Sequence, residues 1–315
     1  MGCDSMTRLG RFVLLFSALF FIRLLPAASP GEKPLSVTVS VSPQKYFVEK
    51  IGGKRFTVEV MVPPGAFPGT YEPGPRQMAA LSRSKAFFAV GVPYEKAWLQ
   101  RFCSANPHML IVHTEKGIQR HPMSTHLHER ESSREEEPGK GETSHVHKSP
   151  DPHIWLSPPL VRIQAENIFR ALCKIDPVHR EEYMKNLANF QKEIDELDKE
   201  LKELFSGFEE KPGFLVFHPS WGYFARRYGL TQIPIELEGK SPGPRDLVEV
   251  IELAGKRGIK VVFVQPQVSP RSAQTVARAI GGTVVPVDPL SPDWGANLKK
   301  AAVKIRAALE QGGQS

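Results

Sequence analysis

The sequence predicts an α/β protein made of two α/β lobes with parallel-type sheets, joined by one long rigid helix. Three observations carry this prediction. Short β-type runs alternate with helical runs over 35–175, and the same alternation restarts over 209–312. Between them, 176–208 shows a single helical period, with apolar residues three and four positions apart and Lys and Glu on the other face. Alternating strands and helices are typical of βαβ units, which form parallel sheets.

The first lobe is predicted from four β-type runs separated by helical ones. The strands are LSVTVSVSP from Leu35, FTVEVMVPPG from Phe56, KAFFAVG from Lys85 and HMLIVHT from His108. Helices are predicted around Tyr46–Ile51, in PRQMAAL and in EKAWLQRF. After a polar segment, LSPPLVRIQAENIFRALCKI predicts a helix with Ser157 as its N-cap and Pro158 in its first turn.

The connecting helix and the second lobe follow. Eight apolar residues recur through the connecting helix at alternating steps of four and three: Tyr183, Leu187, Phe190, Ile194, Leu197, Leu201, Leu204 and Phe208. A coiled coil has this pattern too, but one such segment between α/β units favours a packed helix. The second lobe then predicts strands in FLVFH, LTQIPIE, KVVFVQP and TVVPVDP, with helices in SWGYFARRYG, PRDLVEVIELAGKRG, SPRSAQTVARAIGG and WGANLKKAAVKIRAALEQ.

The N-terminus predicts export. Residues 1–29 carry Arg8 and Arg11, then an apolar run interrupted by Arg23 and followed by small residues. This run is short for a membrane span of ~20 residues, so it favours a signal peptide and a periplasmic protein, membrane-associated only if the signal stays uncleaved. Cys3 precedes the apolar run, so it is not a bacterial lipid-attachment site of the usual kind.

The net charge and the cysteine content bear on possible partners and on disulfide bonding. Removal of 1–29 takes away three arginines and one aspartate, which lowers the formal net charge from +7 to +5. The remaining charge forms no basic stripe interleaved with aromatic residues, which argues against nucleic acid as a partner. Cys103 and Cys173 remain after the export signal, and the sequence leaves open whether they form a disulfide.

Histidine is concentrated in the middle of the chain. Eight of the ten His residues fall between His108 and His153. Within 120–150 the chain has almost no apolar residues, which predicts a mobile loop that collects metal ions through imidazole. A solvated linker that happens to contain histidines is the alternative. The loop histidines are His121, His126, His128, His145 and His147.

Several motifs resemble a known family. The segments VPPG…TYEPGPRQM, DPHIWLSP, FHPSWGYFARRYGL, IELEGKSPGPRDL and FVQPQVSPRSAQTVARAIGGTVVPVDPL, together with the His-rich loop, extend in order over nearly the whole chain. They resemble the periplasmic metal-binding solute-binding proteins of bacterial zinc/manganese ABC importers. That resemblance implies a metal site in the cleft between the lobes, formed by His153, His218 and Asp288. It also implies Zn²⁺ as the bound ion, with Mn²⁺ or Fe²⁺ as alternatives, an ABC permease as partner, and a monomer.

One departure from the family pattern concerns the fourth ligand. Where the family has a Pro-His pair before its TYEP segment, this chain has Phe67, Pro68 and Gly69. Gly69 has no side chain and cannot bind metal, so three of the usual four protein ligands remain. Water or a loop histidine is favoured as the fourth ligand; Tyr71, Glu72 and Glu238 are further oxygen donors. A histidine introduced at position 69 is expected to tighten zinc binding, unless Gly69 has a positive φ.

Two other functions stay open from the sequence. Two histidines and a carboxylate also occur in hydrolytic zinc centres, but the chain has no HExxH motif, and Glu238 is the best candidate for a general base. A metal buffer or a metal-dependent adhesin would have the same residues as an importer's binding protein.

Overall fold

The computed structural model describes residues 33–123, 149–208, 211–236, 242–267 and 271–312. Residues Pro34–Ser315 group into one compact unit by their contacts. The predicted signal peptide and most of the His-rich segment lie outside the described residues. The lobe boundaries drawn from the sequence stay a prediction.

Two four-stranded parallel sheets form the framework, as the alternating pattern predicts. The strands are β1 Leu35–Val39, β2 Phe56–Val60, β3 Ala86–Ala89, β4 Leu110–His113, β5 Gly213–Val216, β6 Thr231–Pro234, β7 Val261–Val264 and β8 Thr283–Pro286. The strand order is β2-β1-β3-β4 in one sheet and β6-β5-β7-β8 in the other, and every pairing is parallel. In both sheets the first strand lies between the second and the third, so the two lobes repeat one winding.

Helices cover the sheets and connect them. They are α1 Ser42–Gly52, α2 Pro75–Leu81, α3 Pro93–Ala105, α4 Pro158–Ile175, α5 Arg180–Phe205, α6 Gly222–Arg227, α7 Pro244–Lys256, α8 Arg271–Ala279 and α9 Trp294–Gly312. Ser157 is the N-cap of α4 and Pro158 is its first residue, as predicted. The first helix starts at Ser42, four residues earlier than predicted. The side-chain oxygen of Gln44 accepts the backbone N–H groups of Ser40 and Val41, which lie between the end of β1 and the start of α1.

The long helix α5 follows a short 3-10 turn at Pro177–His179 and ends at Phe205. Six of its seven buried residues lie on the predicted stripe: Tyr183, Leu187, Phe190, Ile194, Leu197 and Leu201. The seventh is Phe205, whereas the predicted Leu204 is half-buried and the predicted Phe208 lies beyond the end of the helix. Full burial of a large apolar side chain stabilises a fold by about 1.5–3 kcal/mol, so this stripe holds the helix in place. Among the described residues, none of the helices has the length and apolar content needed to span a bilayer.

The last helix joins the two lobes as well. Trp294, its first residue, is 3% exposed and packs against Phe47 and Phe190, with ring centroids 5.3 and 6.2 Å away. Its indole Nε1 donates a hydrogen bond of 2.7 Å to the carbonyl oxygen of Trp155. The start of the C-terminal helix is therefore packed against α1 and α5.

Neither of the two cysteines in the described part of the chain forms a disulfide. Cys103 is an exposed free thiol and Cys173 is a buried free thiol, so the two cysteines are not joined to each other.

Candidate metal centre

His153 and His218 meet at the junction of the two lobes. Their ring centroids are 5.2 Å apart at an interplanar angle of 74°. They are 8% and 6% exposed. One ring comes from the segment before α4 and the other from the end of β5, so the pair forms only when both lobes are folded.

His153 is held by Asp151. The Oδ1 atom of Asp151 accepts both the backbone N–H of His153, at 2.9 Å, and the ring Nδ1, at 2.7 Å. Asp151 itself is 3% exposed. A Cβ on Gly222 would lie 2.9 Å from Asp151 Oδ2, so the glycine at the start of α6 permits this close approach.

His218 is held in the same way by Glu236. Ring Nδ1 of His218 lies 2.9 Å from Glu236 Oε2, and Glu236 is 5% exposed. Strands β5 and β6 are neighbours, with Val216 opposite Pro234. The backbone N–H of Glu236 donates to the carbonyl of Phe217 at 2.9 Å, which continues the pairing beyond the strand ends. The register therefore places the carboxylate beside the imidazole.

These two pairs determine which ring nitrogen is free. An ionised carboxylate only accepts hydrogen bonds, so in the neutral imidazole Nδ1 carries the proton and Nε2 keeps its lone pair. Burial lowers the pKa of His153 despite the opposing effect of Asp151, which favours the neutral imidazole that binds metal. Metal-ligating histidines typically have such a carboxylate behind them, because it orients the ring and raises its basicity.

Asp288 follows β8 in a loop that contacts Trp155, in the turn after His153. Its Oδ1 accepts hydrogen bonds of 2.9 Å from Gln267 Nε2 and from the backbone N–H of Leu290. The next carbonyl, that of Pro289, accepts a 2.7 Å hydrogen bond from the indole of Trp155. The Trp155 ring lies 5.3 Å from the His153 ring. The Asp288 loop is thus tied to the turn that carries His153.

Asp288 does not form a metal-binding group with the two histidines in the part of the chain that the structure describes. Across the described ranges of the chain, no three His, Cys, Asp or Glu side chains come together in an arrangement that could hold a metal ion. The structure brings together His153 and His218. The approach of Asp288 to that pair stays a prediction.

A matching family model covers most of the chain. The model described as "Zinc-uptake complex component A periplasmic", ZnuA, matches residues 37–308. The chain belongs to the ZnuA family. This confirms the resemblance seen in the motifs, and with it the prediction of extracytoplasmic metal capture for an ABC importer.

Individual ZnuA-family relatives agree with this assignment. The chain is 30% identical over 259 residues to the high-affinity zinc uptake system protein ZnuA of Bacillus subtilis (strain 168). The aligned residues cover 81% of this chain and 78% of the relative. It is 27% identical over 292 residues to the iron-binding protein YfeA of Yersinia pestis, covering 90% and 88%. A crystal structure of ZnuA superposes with a TM-score of 0.79 at 40% identity, covering 88% of this chain and 99% of that one.

Of the other ligands predicted from the sequence of this ZnuA-family chain, Tyr71 and Glu72 lie in described parts of the structure. The hydroxyl of Tyr71 donates to Gln77, and its ring packs on Tyr94 with centroids 5.8 Å apart. Glu72 is exposed. The candidates Glu238, His126, His128, His145 and His147 lie outside the described residues.

His121 lies at the base of the His-rich segment. Pro122 and Pro150 form an antiparallel bridge, and the backbone N–H of Asp151 donates to the carbonyl of His121 at 2.8 Å. The Tyr223 hydroxyl accepts the N–H of His121 and donates to the carbonyl of Asp151, both at 3.1 Å. The two ends of the segment therefore leave the fold side by side, next to the carboxylate that orients His153.

Three residues in contact with the histidine pair escaped the sequence reasoning. Asp151 stands two positions before His153, and Glu236 is the last residue of the predicted strand LTQIPIE. The third is Phe67, whose ring packs edge-on against His218 with centroids 5.2 Å apart. No local pattern predicts that contact, because the two residues belong to different lobes.

Proposed function

We propose that this protein captures one divalent metal ion outside the cytoplasmic membrane, most tightly Zn²⁺, and delivers it to the permease of an ABC importer. The observation that carries the proposal is the pair of buried histidines, each with Nδ1 bound by a buried carboxylate. The two free Nε2 atoms are the ligands. Asp288 completes the protein's set with its Oδ2 atom, since Oδ1 already accepts two hydrogen bonds.

The chemistry of these ligands favours zinc. Imidazole and carboxylate together suit Zn²⁺, which binds four ligands at about 2.0–2.2 Å when these are nitrogen and oxygen. The same donors accept Mn²⁺ or Fe²⁺, and the relative from Yersinia pestis is named for iron. With three protein ligands, water fills the fourth position. The protein works as a monomer, exported by residues 1–29.

Titration with zinc in competition with a chromophoric chelator tests this proposal. The wild-type protein should bind one ion tightly, and His153→Ala, His218→Ala and Asp288→Ala should each lose the tight phase. His108→Ala is the matched control, because His108 is exposed and far along the chain from these ligands. Wild-type titration curves for both His153→Ala and His218→Ala would disprove the assignment.

A further inference from the structure

The loop between β2 and α2 has a fixed base. The side chain of Gln77 donates to the carbonyl of Met61 and accepts hydrogen bonds from the Tyr71 hydroxyl and from the backbone N–H of Gly74, the last at 2.9 Å. These bonds tie the two ends of the loop together. The tip between them contains Pro63, Pro64 and Pro68, and proline restricts the backbone. The tip therefore presents its side chains in a defined direction.

Phe67 extends from this tip to the metal centre. Its ring meets the His218 ring at 88° with centroids 5.2 Å apart, and the His218 ring in turn lies 5.2 Å from that of His153. Phe67 is half-buried. It belongs to the first lobe and His218 to the second, so the aromatic contact bridges the two lobes beside the histidine pair.

Gly69 provides the space that the Phe67 ring occupies. A Cβ on Gly69 would lie 2.3 Å from Cε1, 2.9 Å from Cζ and 3.1 Å from Cδ1 of Phe67. The backbone at Gly69 does not have the positive φ found at Gly65, which is +83°. Position 69 therefore requires glycine because of the neighbouring ring, and not because of its backbone conformation.

We propose that Phe67 is a specificity-determining residue that covers the His218 side of the metal centre and that Gly69 is the residue that lets it do so. This inference rests on the proposed function. The ring fills the space through which this loop could supply a fourth ligand, and it limits how many waters reach the ion. Zn²⁺ accepts four ligands, whereas Mn²⁺ prefers six, mostly oxygen and water. An apolar cover therefore favours Zn²⁺ over Mn²⁺ and slows zinc release, because a surrounding apolar shell controls solvent access to a metal.

This arrangement changes the expectation for a histidine at position 69. In the sequence, Gly69 reads as a lost ligand that a single substitution would restore. In the structure any side chain there meets Phe67, so Gly69→His must first displace the ring. The substitution tightens zinc binding only when Phe67 is removed as well, and the effects of the two changes are not additive.

Two measurements on the full chain test the proposal: the ratio of Zn²⁺ to Mn²⁺ affinity, by chelator competition, and the rate of zinc release into excess chelator. Phe67→Ala should lower the affinity ratio and speed release, each by about tenfold. Phe67→Leu, which keeps an apolar side chain, should lie in between. Gly69→Ala should reproduce Phe67→Ala, and the double variant Phe67→Ala/Gly69→Ala should be no worse than either single one. Thr70→Ala, an exposed position in the same loop, is the control.

The outcomes separate this inference from the function on which it rests. If the wild type binds zinc tightly and His218→Ala does not, but Phe67→Ala and Gly69→Ala keep the wild-type ratio and release rate, the role of Phe67 is wrong and the proposed function stands. If Gly69→His tightens zinc binding as much as Phe67→Ala/Gly69→His does, the steric coupling is wrong. If the wild type lacks a tight zinc site, the proposed function fails, and this inference fails with it.

Discussion

Glu236 Oε2 lies 2.9 Å from Nδ1 of His218, and both side chains are more than nine-tenths buried. A buried carboxylate is costly unless it is paired, so this pair is stable because each partner satisfies the other. It leaves one nitrogen of the imidazole for a metal ion. Asp151 does the same for His153 from the other lobe, and this symmetry distinguishes the site from a chance meeting of two histidines.

The carboxylates behind the histidines should therefore control metal affinity. Glu236→Gln keeps the shape of the side chain but removes its charge, so it should weaken zinc binding by about tenfold or more, within the 10–100-fold range seen for such partners. Asp151→Asn should have a similar effect. Chelator competition at neutral pH measures both. Glu252→Gln, exposed on α7, is the control, and an unchanged affinity in Glu236→Gln would contradict the role.

The His-rich segment should contribute additional, weaker binding. The backbone N–H of Met123 donates to the carbonyl of Ser149 at 3.2 Å, so residues 124–148 can be replaced by an Asn-Gly turn without separating Met123 from Ser149. We expect the replacement to remove weak zinc binding by His126, His128, His145 and His147 and to leave the tight site unchanged. Calorimetric stoichiometry measures this. Loss of the tight site would mean that a loop histidine, and not water, is the fourth ligand.

Glu95 should make the stability of the fold fall as the pH rises. Burial raises the pKa of this carboxyl from 4.5 to about 7. This burial effect outweighs the opposing hydrogen bonds from the backbone N–H groups of Val90 and Gly91, at 2.9 and 2.7 Å. Glu115 acts in the same direction as burial. The folded chain then holds the proton more tightly than the unfolded chain does. The contribution of Glu95 to stability is therefore fully present below about pH 4.5 and is lost as the pH rises through about 7.

Urea unfolding at several pH values between 5 and 8 measures this contribution, which is at most roughly 3 kcal/mol at 1.36 kcal/mol per pKa unit. Glu95→Gln should flatten the pH dependence over this range. Glu59→Gln, exposed on β2, should not. An equally steep fall in stability in the Glu95→Gln variant would show that another group is responsible.

Trp294 should be among the residues that contribute most to stability. Trp294→Ala empties a site between Phe47 and Phe190 and leaves the carbonyl of Trp155 without its donor. Losses of about 3–5 kcal/mol are usual for such a change. Trp294→Phe should be milder, but it should still weaken zinc binding, because Trp155 belongs to the turn after His153. Val303→Ala, at an exposed position of the same helix, should change the unfolding free energy by no more than ~0.5 kcal/mol.

The sequence by itself determined the elements of this protein and the residues that are candidate metal ligands. Local periodicity depends only on neighbours along the chain, so the alternation of strands and helices, most of the stripe of α5 and the Ser157 cap were predictable. The motifs around His153, His218 and Asp288 were also readable, because ligands follow strand ends and helix starts.

The tertiary structure decided what those residues touch. The pairing of His218 with Glu236 depends on the register of two strands, which no local pattern in the sequence shows. The contact between Phe67 and His218 depends on the packing of the two lobes, and only that contact gives a reason for Gly69. A pattern along the chain shows which way a side chain faces within its own element, but distances between elements follow from how the whole core packs.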